Sequence, residues 1–330
     1  MDVYTWHASL WQRLMSQPER LPHALLLEGP RGIGKRDFAL ALIAARLCVS
    51  PDSNGYACGH CAACHWIAQS AHPDLRVLEP LPGDDETEQG ATRKKYEITI
   101  AQVRALGDFM NLSSHRAGSR MVLIHPAEAL NPASANALLK TLEEPSPNST
   151  LVLVSHQANS LLPTIISRCH RISMPQPTAG DAGDWLQRQG VEQASLCLAL
   201  AGGAPLLART YADPQYLQAR QQFLTALQKP KQLNWLQLAE QGAKADMAVR
   251  FDWLQQWLTD LVMVRLAGKV RYNLDFVSGL QDLALQVNLM RIQKFADELA
   301  QIKRRLKHPL NPQLLLESVL LRYLAAVANP

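Results

Sequence analysis

Gly29-Pro30-Arg31-Gly32-Ile33-Gly34-Lys35 fits the phosphate-loop pattern G-x-x-x-x-G-K. Backbone N–H groups of such a loop, and of the helix that follows it, can cradle phosphate oxygens, and Lys35 would reach the terminal ones. The next position should carry a Ser or Thr hydroxyl to ligate Mg²⁺, and here it is Arg36, which cannot coordinate a cation. A phosphate-loop ATPase keeps its acidic metal-holding and water-positioning residues on a strand such as Met121–Ile124, but this run leads into His125-Pro126. Both substitutions predict that the chain alone does not turn over MgATP. Gly29, Gly32, Gly34 and Lys35 leave nucleotide binding without turnover open.

A second group is Cys58-x₂-Cys61-x₂-Cys64 with Cys48 upstream. Four thiolates are the number a closed tetrahedral structural Zn²⁺ site takes, and a filled shell leaves no open position for substrate, so the expected role is scaffolding. His60, His65 and His72 lie close enough in sequence to substitute as ligands. The polar stretch Ser50–Tyr56 argues against the alternative of thiols buried in a core. Other candidates are weaker when taken alone. Arg168, in Ser167-Arg168-Cys169, and Lys140 both read as surface residues. Lys303, Arg304, Arg305 and Lys307 sit near the end of a helical pattern, where positive charge is favourable anyway.

The elements that must position these groups are visible as patterns. Ala24-Leu25-Leu26-Leu27, the glycine-rich turn and Phe38–Ile43 read as strand, loop and helix. Leu75–Leu78, Met121–Ile124 and Leu151–Val154 are further short apolar runs of the kind that form buried parallel strands. Thr99-Ile100-Ala101-Gln102 is a capping box ahead of Val103, Leu106 and Met110, and Asn131-Pro132 opens a helix that Pro145 ends. Pro82–Tyr96 holds seven charged residues and almost nothing apolar, which predicts an exposed loop; Arg93-Lys94-Lys95 within it could touch phosphate, but a solvated loop is the simpler reading.

Beyond residue 175 the period is helical throughout. Leu254, Trp257, Leu258, Leu261 and Val262 form one stripe, Ile292, Phe295, Leu299, Ile302 and Leu306 another, and Asn311-Pro312 caps a last helix with Leu315, Val319, Tyr323 and Val327. Pro175 and Pro177 with Gly180 and Gly183 mark one boundary, and Asp213-Pro214 a second.

At 330 residues the chain is too long for one core and should form two or three domains; 47% hydrophobic and 19% charged residues exclude a mostly disordered chain. A formal net charge of +4 is too mild to identify a partner. MDVYTWHASL has no basic region followed by an apolar run, and LCLALAGGAPLLA is too short to cross a bilayer, so a soluble cytoplasmic protein is expected, with no membrane partner. Six cysteines in such a chain argue for metal rather than disulfides.

The combination of GPRGIGKR, CxxCxxC, NALLKTLEEP (Asn136–Pro145) and ISRC (Ile166–Cys169) resembles the bacterial clamp-loader subunits of the AAA+ class, best from about His23 to Pro175. Motor subunits of that family keep a Ser or Thr after the phosphate-loop Lys, an Asp-Glu pair on the following strand, and a sensing Arg in a Gly-Ser-x-Arg pattern where this chain has Gly202-Gly203-Ala204-Pro205. The resemblance therefore points to the non-hydrolysing member that closes one end of the pentamer. It implies an α/β AAA+ domain with a Cys₄ zinc module (1–170), a small helical lid (171–213) and an all-α collar for assembly (214–330). It also implies that Arg168 is an arginine finger reaching the ATP of a neighbouring subunit. The implied partners are the gamma/tau motor and delta subunits, with the sliding clamp and primer-template DNA met through the complex, as part of the DNA polymerase III holoenzyme. Two rival readings are an active AAA+ motor and a stand-alone zinc-containing nucleic-acid-binding protein. The first would hydrolyse ATP alone, and the second would bind DNA with a steep salt dependence.

Overall fold

The computed structural model describes residues 3–17, 20–82, 96–111, 119–243, 246–304 and 311–327. Arg93-Lys94-Lys95, most of the charged stretch around them, Arg305, Leu306 and Lys307 lie outside the described residues. The chain divides into two compact units, Met1–Asp181 and Ala182–Pro330.

The first unit is built on five parallel strands in the order β2-β5-β6-β1-β7. These are β1 (Ala24–Glu28), β2 (Leu75–Leu78), β5 (Arg120–Ile124), β6 (Ser149–Ser155) and β7 (His170–Ser173). Strands β1, β5 and β6 are buried almost throughout, as parallel strands covered on both faces must be. Alternate residues serve the two faces. Leu26, Val122, Ile124, Leu151 and Leu153 join one cluster with Val103 and Leu106 of α4 (Ile100–Asn111), Leu138 and Leu142 of α5 (Pro132–Glu143), and Ile165 of α6 (Pro163–Ile166). On the other side α2 (Lys35–Leu47) packs on β1, β5 and β6. Helices α1 (Ala8–Met15) and α3 (Ala62–Ala68) flank α2 in sequence.

Local signals act where the sequence places them. Thr99 N–H donates to Gln102 Oε1 at 2.9 Å and Gln102 N–H to Thr99 Oγ1 at 3.4 Å, the reciprocal pair of a capping box ahead of α4. Asn131 Oδ1 accepts from Ser134 N–H at 2.9 Å and caps α5. Two features depart from expectation. β7 exposes three of its four residues at the sheet edge, so it has no apolar run to announce it, and it carries the sheet past residue 170. The ends of the charged stretch are also held, because β3 (Leu81–Pro82) pairs antiparallel with β4 (Tyr96–Glu97).

The second unit is helical. Helices α7 (Ala179–Arg188), which begins at the boundary, α8 (Ala194–Leu200) and α9 (Pro205–Tyr211) gather around Leu186, Val191, Cys197 and Ala208. Pro205 occupies the first turn of α9, and Gly203 before it has a φ of 90°, a conformation that L side chains rarely adopt. A larger cluster follows in α10 (Pro214–Gln228), α11 (Trp235–Ala243), α12 (Met247–Ala267), α13 (Val277–Gln286), α14 (Leu289–Arg304) and α15 (Pro312–Val327). Trp257, Leu258, Phe295, Val319 and Tyr323 lie at its centre. Trp257 Nε1 donates to the Tyr323 hydroxyl at 3.1 Å, and that hydroxyl donates to the Leu227 carbonyl at 2.7 Å, so α12, α15 and α10 share one buried chain of bonds. Lys303 bonds Asp252 and Gln255 of α12, which gives this cation a packing role besides its place at a helix end.

Asp260 of α12 is fully buried, yet every bond it needs is supplied. It accepts backbone N–H groups from Arg271 at 2.8 Å, Tyr272 at 3.1 Å and Asn273 at 2.7 Å, and the Asn273 amide at 2.8 Å. Arg220 of α10, 1% exposed, then donates to Asn273 at 2.6 Å and Asp275 at 2.7 Å. Removing the Asp260 acceptor strands three backbone donors where water does not reach, at roughly 1–3 kcal/mol each. Asp260→Ala is therefore expected to destabilise the second unit by about 3 kcal/mol or more, measured as a lower denaturation midpoint in urea; a change under about 1 kcal/mol would contradict this account.

Candidate functional site

Parallel strands deliver their carboxyl ends to one edge of the sheet, where α/β proteins place ligands. Here that edge collects the loop Gly29–Gly34 after β1, Glu79 after β2, His125 after β5 and His156 after β6. Gly32 and Gly34 have φ of 83° and 92°, values that let the loop close and enter α2.

The loop is folded upon itself. Lys35 is 2% exposed and its Nζ donates to the carbonyls of Gly29 at 2.7 Å and Pro30 at 2.5 Å. The ammonium expected to reach a phosphate is thus engaged by the loop's own oxygens. Burial pulls its pKa down to about 8, with Glu128 opposing part of the drop. An N-terminal strap lies over the same turn. Tyr4 stacks on Trp6 with ring centroids 4.8 Å apart, and a Cβ added at Gly34 would overlap the Tyr4 ring. The Tyr4 hydroxyl donates to Asp37 at 3.0 Å, and Trp6 Nε1 donates to the Ile33 carbonyl at 2.9 Å. His7 is buried edge-on against Phe38 of α2.

Arg36 takes the metal-side position. Its Nε donates to Glu79 Oε1 at 2.8 Å, and His125 Nδ1 lies 3.6 Å from the same oxygen. The rings of His125 and His156 meet at right angles, 5.4 Å apart, and Glu128 accepts the His156 backbone N–H at 2.9 Å. Burial holds both imidazoles below the usual histidine range; His156 falls to about 3, with Lys35 adding to the effect. At neutral pH the two rings at this edge are therefore uncharged. Glu79, Glu128, His156 and the aromatic strap escape a reading of the sequence. A strand-end position one residue past β2 or β6 is the only signal for Glu79 and His156, and Glu128 and the strap have none.

The four sulfurs of Cys48, Cys58, Cys61 and Cys64 all lie within 4.8 Å of one another. Cys61 and Cys64 are one turn apart at the start of α3, and Cys48 follows α2 directly. The backbone N–H of His60 favours the Cys58 thiolate, the form that binds metal. Two of the neighbouring histidines are turned to other work, His60 to the Cys58 carbonyl and His72 to the Asp74 N–H. This cluster could hold a metal such as zinc, and its donor set fits a closed tetrahedral site. The strap ties it to the loop, since Trp11 stacks on Tyr56 at 4.7 Å and donates to the Asn54 carbonyl at 3.1 Å.

Arg168 follows α6 and is partly exposed. Its Nη2 lies 2.5 Å from Glu143 Oε1, and its Nη1 donates to the Thr164 carbonyl at 3.0 Å. Cys169 beside it is buried in the sheet-side cluster, which fixes the backbone under the arginine. Lys140 is exposed on α5.

Residues 6–178 match the sequence model of a family described as DNA polymerase III, delta subunit, and residues 214–324 match one described as DNA polymerase III, delta subunit, C terminal. The DNA polymerase III subunit delta' of Pseudomonas aeruginosa is 36% identical over 347 aligned residues, covering 100% of this chain and 99% of that protein. The chain belongs to the DNA polymerase III delta' family. Its Escherichia coli relative of the same name is 28% identical, over 98% of this chain and 95% of the relative. Among solved structures, a DNA polymerase III gamma subunit-related protein from Thermotoga maritima is similar at 18% identity and a TM-score of 0.46, covering 97% of this chain and 99% of that one. In this delta' family member, as described, no helix is long and apolar enough to cross a membrane.

Two outcomes are expected. Protein purified without chelators should carry about one zinc per chain, released to a colorimetric chelator on thiol modification, and Cys64→Ser should lose it. His7 provides the second. Burial holds its pKa near 4 in the folded chain against 6.5 unfolded, so between those values only the unfolded chain takes the proton. Stability then falls as the pH drops through that window, by roughly 2 kcal/mol at pH 5 on account of His7. In urea titrations at pH 7.5 and pH 5, His7→Phe should lose correspondingly less than the wild type.

Proposed function

We propose that this chain is a non-hydrolysing subunit of a clamp loader, helping to place a ring-shaped sliding clamp on primed DNA while supplying Arg168 to the ATP site of a neighbouring subunit. The observation that carries the reading is the contrast between its two sets of cations. Lys35 is buried against loop carbonyls and Arg36 is paired with Glu79 where a metal-binding hydroxyl would stand, whereas Arg168 is held at the surface.

Hydrolysis of a nucleoside triphosphate needs Mg²⁺ between the phosphates and a carboxylate that holds it. Arg36 and His125 offer neither ligand. Glu79 is paired with Arg36, and Glu128, whose Oε1 accepts the His156 N–H, keeps its Oε2 buried without a partner among the described residues. The self-bonded loop and the Tyr4 ring over Gly34 favour a structural role for Gly29, Gly32, Gly34 and Lys35, whether or not nucleotide is bound. Zinc on Cys48, Cys58, Cys61 and Cys64 would brace the far side of the strap through Tyr56 and Trp11.

The remainder fits a three-part division into an AAA+ domain, a lid ending near Asp213 and a collar from Pro214. The separate hydrophobic clusters around Leu186 and Trp257 support the second of these boundaries. The names of the relatives support a place in the DNA polymerase III assembly. Its partners there would be the gamma/tau motor and delta subunits, with the clamp and primer-template DNA engaged through the complex.

An arginine finger stabilises charge on the transferred phosphoryl group and contributes about 10³–10⁵ in rate where it has been studied. The expected result is that the chain alone shows no MgATP turnover. In the complex, Arg168→Ala should leave assembly intact and remove the share of DNA-stimulated ATPase due to the site it completes. Turnover by the chain alone, at the ordinary enzymatic rate of about 1–10³ s⁻¹, would instead establish it as a motor.

A further inference from the structure

We propose that Glu143 is the positioning residue for Arg168, holding the guanidinium extended and correctly turned before a phosphate arrives. The proposal rests on the reading of Arg168 as a trans-acting finger.

An arginine side chain has four rotatable bonds before its planar fork, and ordering them is a main entropic cost of using it. Arg168 meets that cost within its own chain. Nη2 lies 2.5 Å from Glu143 Oε1, and Nη1 donates to the Thr164 carbonyl at 3.0 Å. The two acceptors come from different elements. Glu143 is the last residue of α5, which Leu138 and Leu142 anchor in the sheet-side cluster, and Thr164 lies in α6, anchored by Ile165. The fork is thus fixed at two points by two packed helices. Of its five N–H donors, those not used by Glu143, Thr164 and the Ser167 hydroxyl have no other acceptor among the described residues, so they remain available to phosphate oxygens.

Charge sets the strength of the arrangement. Arg168 and Glu143 are 35% and 49% exposed, so solvent screens their attraction and the pair is weak. That weakness suits a finger. A phosphate bearing more than one negative charge can draw the guanidinium forward, while the carboxylate has already restricted where it points. A buried pair would resist the transfer. The hydrogen bond, more than the charge, supplies direction, so a glutamine at 143 should preserve most of the function.

The test is steady-state DNA-stimulated ATPase of the complete complex carrying the wild type, Arg168→Ala, Glu143→Ala, Glu143→Gln or the double alanine variant. Glu143→Ala is expected to lower the Arg168-dependent share of kcat roughly two- to fivefold, as befits a screened pair, with KM for ATP unchanged. Glu143→Gln should recover most of that loss, and Glu143→Ala should remove nothing further in the Arg168→Ala background. Unfolding of the single variants should match the wild type, separating positioning from stability. The proposal is overturned if Glu143→Ala leaves the Arg168-dependent share unchanged or raises it, since the carboxylate would then be idle or a brake. It also fails if the loss persists without Arg168. Should Arg168→Ala itself remove no activity, the finger reading fails and this proposal falls with it. If Arg168→Ala removes activity while Glu143→Ala does not, only the positioning role is lost.

Discussion

The parallel register of β1 between β6 and β7 is the constraint from which the rest of the first unit follows. Leu25 pairs with Val152 on one side and His170 on the other, and Glu28 pairs with Ser155 and Ser173. With every strand running the same way, the chain must leave the sheet at one edge four times in close succession, after β1, β2, β5 and β6. A glycine loop, Glu79, His125 and His156 are brought together by topology before any of them attracts another. The same register sends Arg168 elsewhere, because it lies in the turn that enters β7 from the opposite edge.

At the loop, charge is then paired within the chain. An ordinary phosphate loop leaves a lysine and a hydroxyl waiting for phosphate and Mg²⁺; here a guanidinium fills the hydroxyl's place and finds Glu79 at 2.8 Å. Two imidazoles made neutral by burial add no further charge. The lysine that would meet a phosphate is instead engaged by the carbonyls of Gly29 and Pro30, while Tyr4 packs on Gly34 and Trp6 bonds the Ile33 carbonyl. Each replacement is modest, but two act in one direction: Lys35 and Arg36 both find acceptors within the chain. The Trp11–Tyr56 stack and the Trp11 bond to the Asn54 carbonyl link this strap to the segment that runs between Cys48 and Cys58.

How much of this was legible depended on whether the signal was local. Buried strands β1, β5 and β6 announce themselves as apolar runs, the cap before α4 is written in Thr99 and Gln102, and four cysteines within a short stretch have few alternatives to meeting. Arg36 and His125 were readable because a motif specifies what should stand in their place. By contrast β7 buries chiefly Ile172, too little for a pattern, and β3 with β4 pairs two residues against two across a charged stretch. Tyr4, Trp6 and His7 lack periodicity, and their meaning comes only from the loop they cover. For Lys35 the motif says which atoms it could reach, but not that the carbonyls of Gly29 and Pro30 accept from it.

Arg168 shows the opposite relation between sequence and structure. Spacing alone gives an exposed arginine no distinction, and the residues that do distinguish it lie on another helix. Its backbone is pinned by Cys169 and Ile165, while its guanidinium spans acceptors on α5 and α6. A cation meant only to keep the surface soluble needs no such support, and one meant for its own domain's chemistry would be placed at the carboxyl edge beside Lys35. On the proposed reading Arg168, partly exposed, pre-ordered by a weak pair and carrying unused donors, completes a site on another molecule. On that reading the domain needs no hydrolytic machinery of its own. What it must supply is a stiff mount, and that is what the closed loop, the strap and the buried sheet provide.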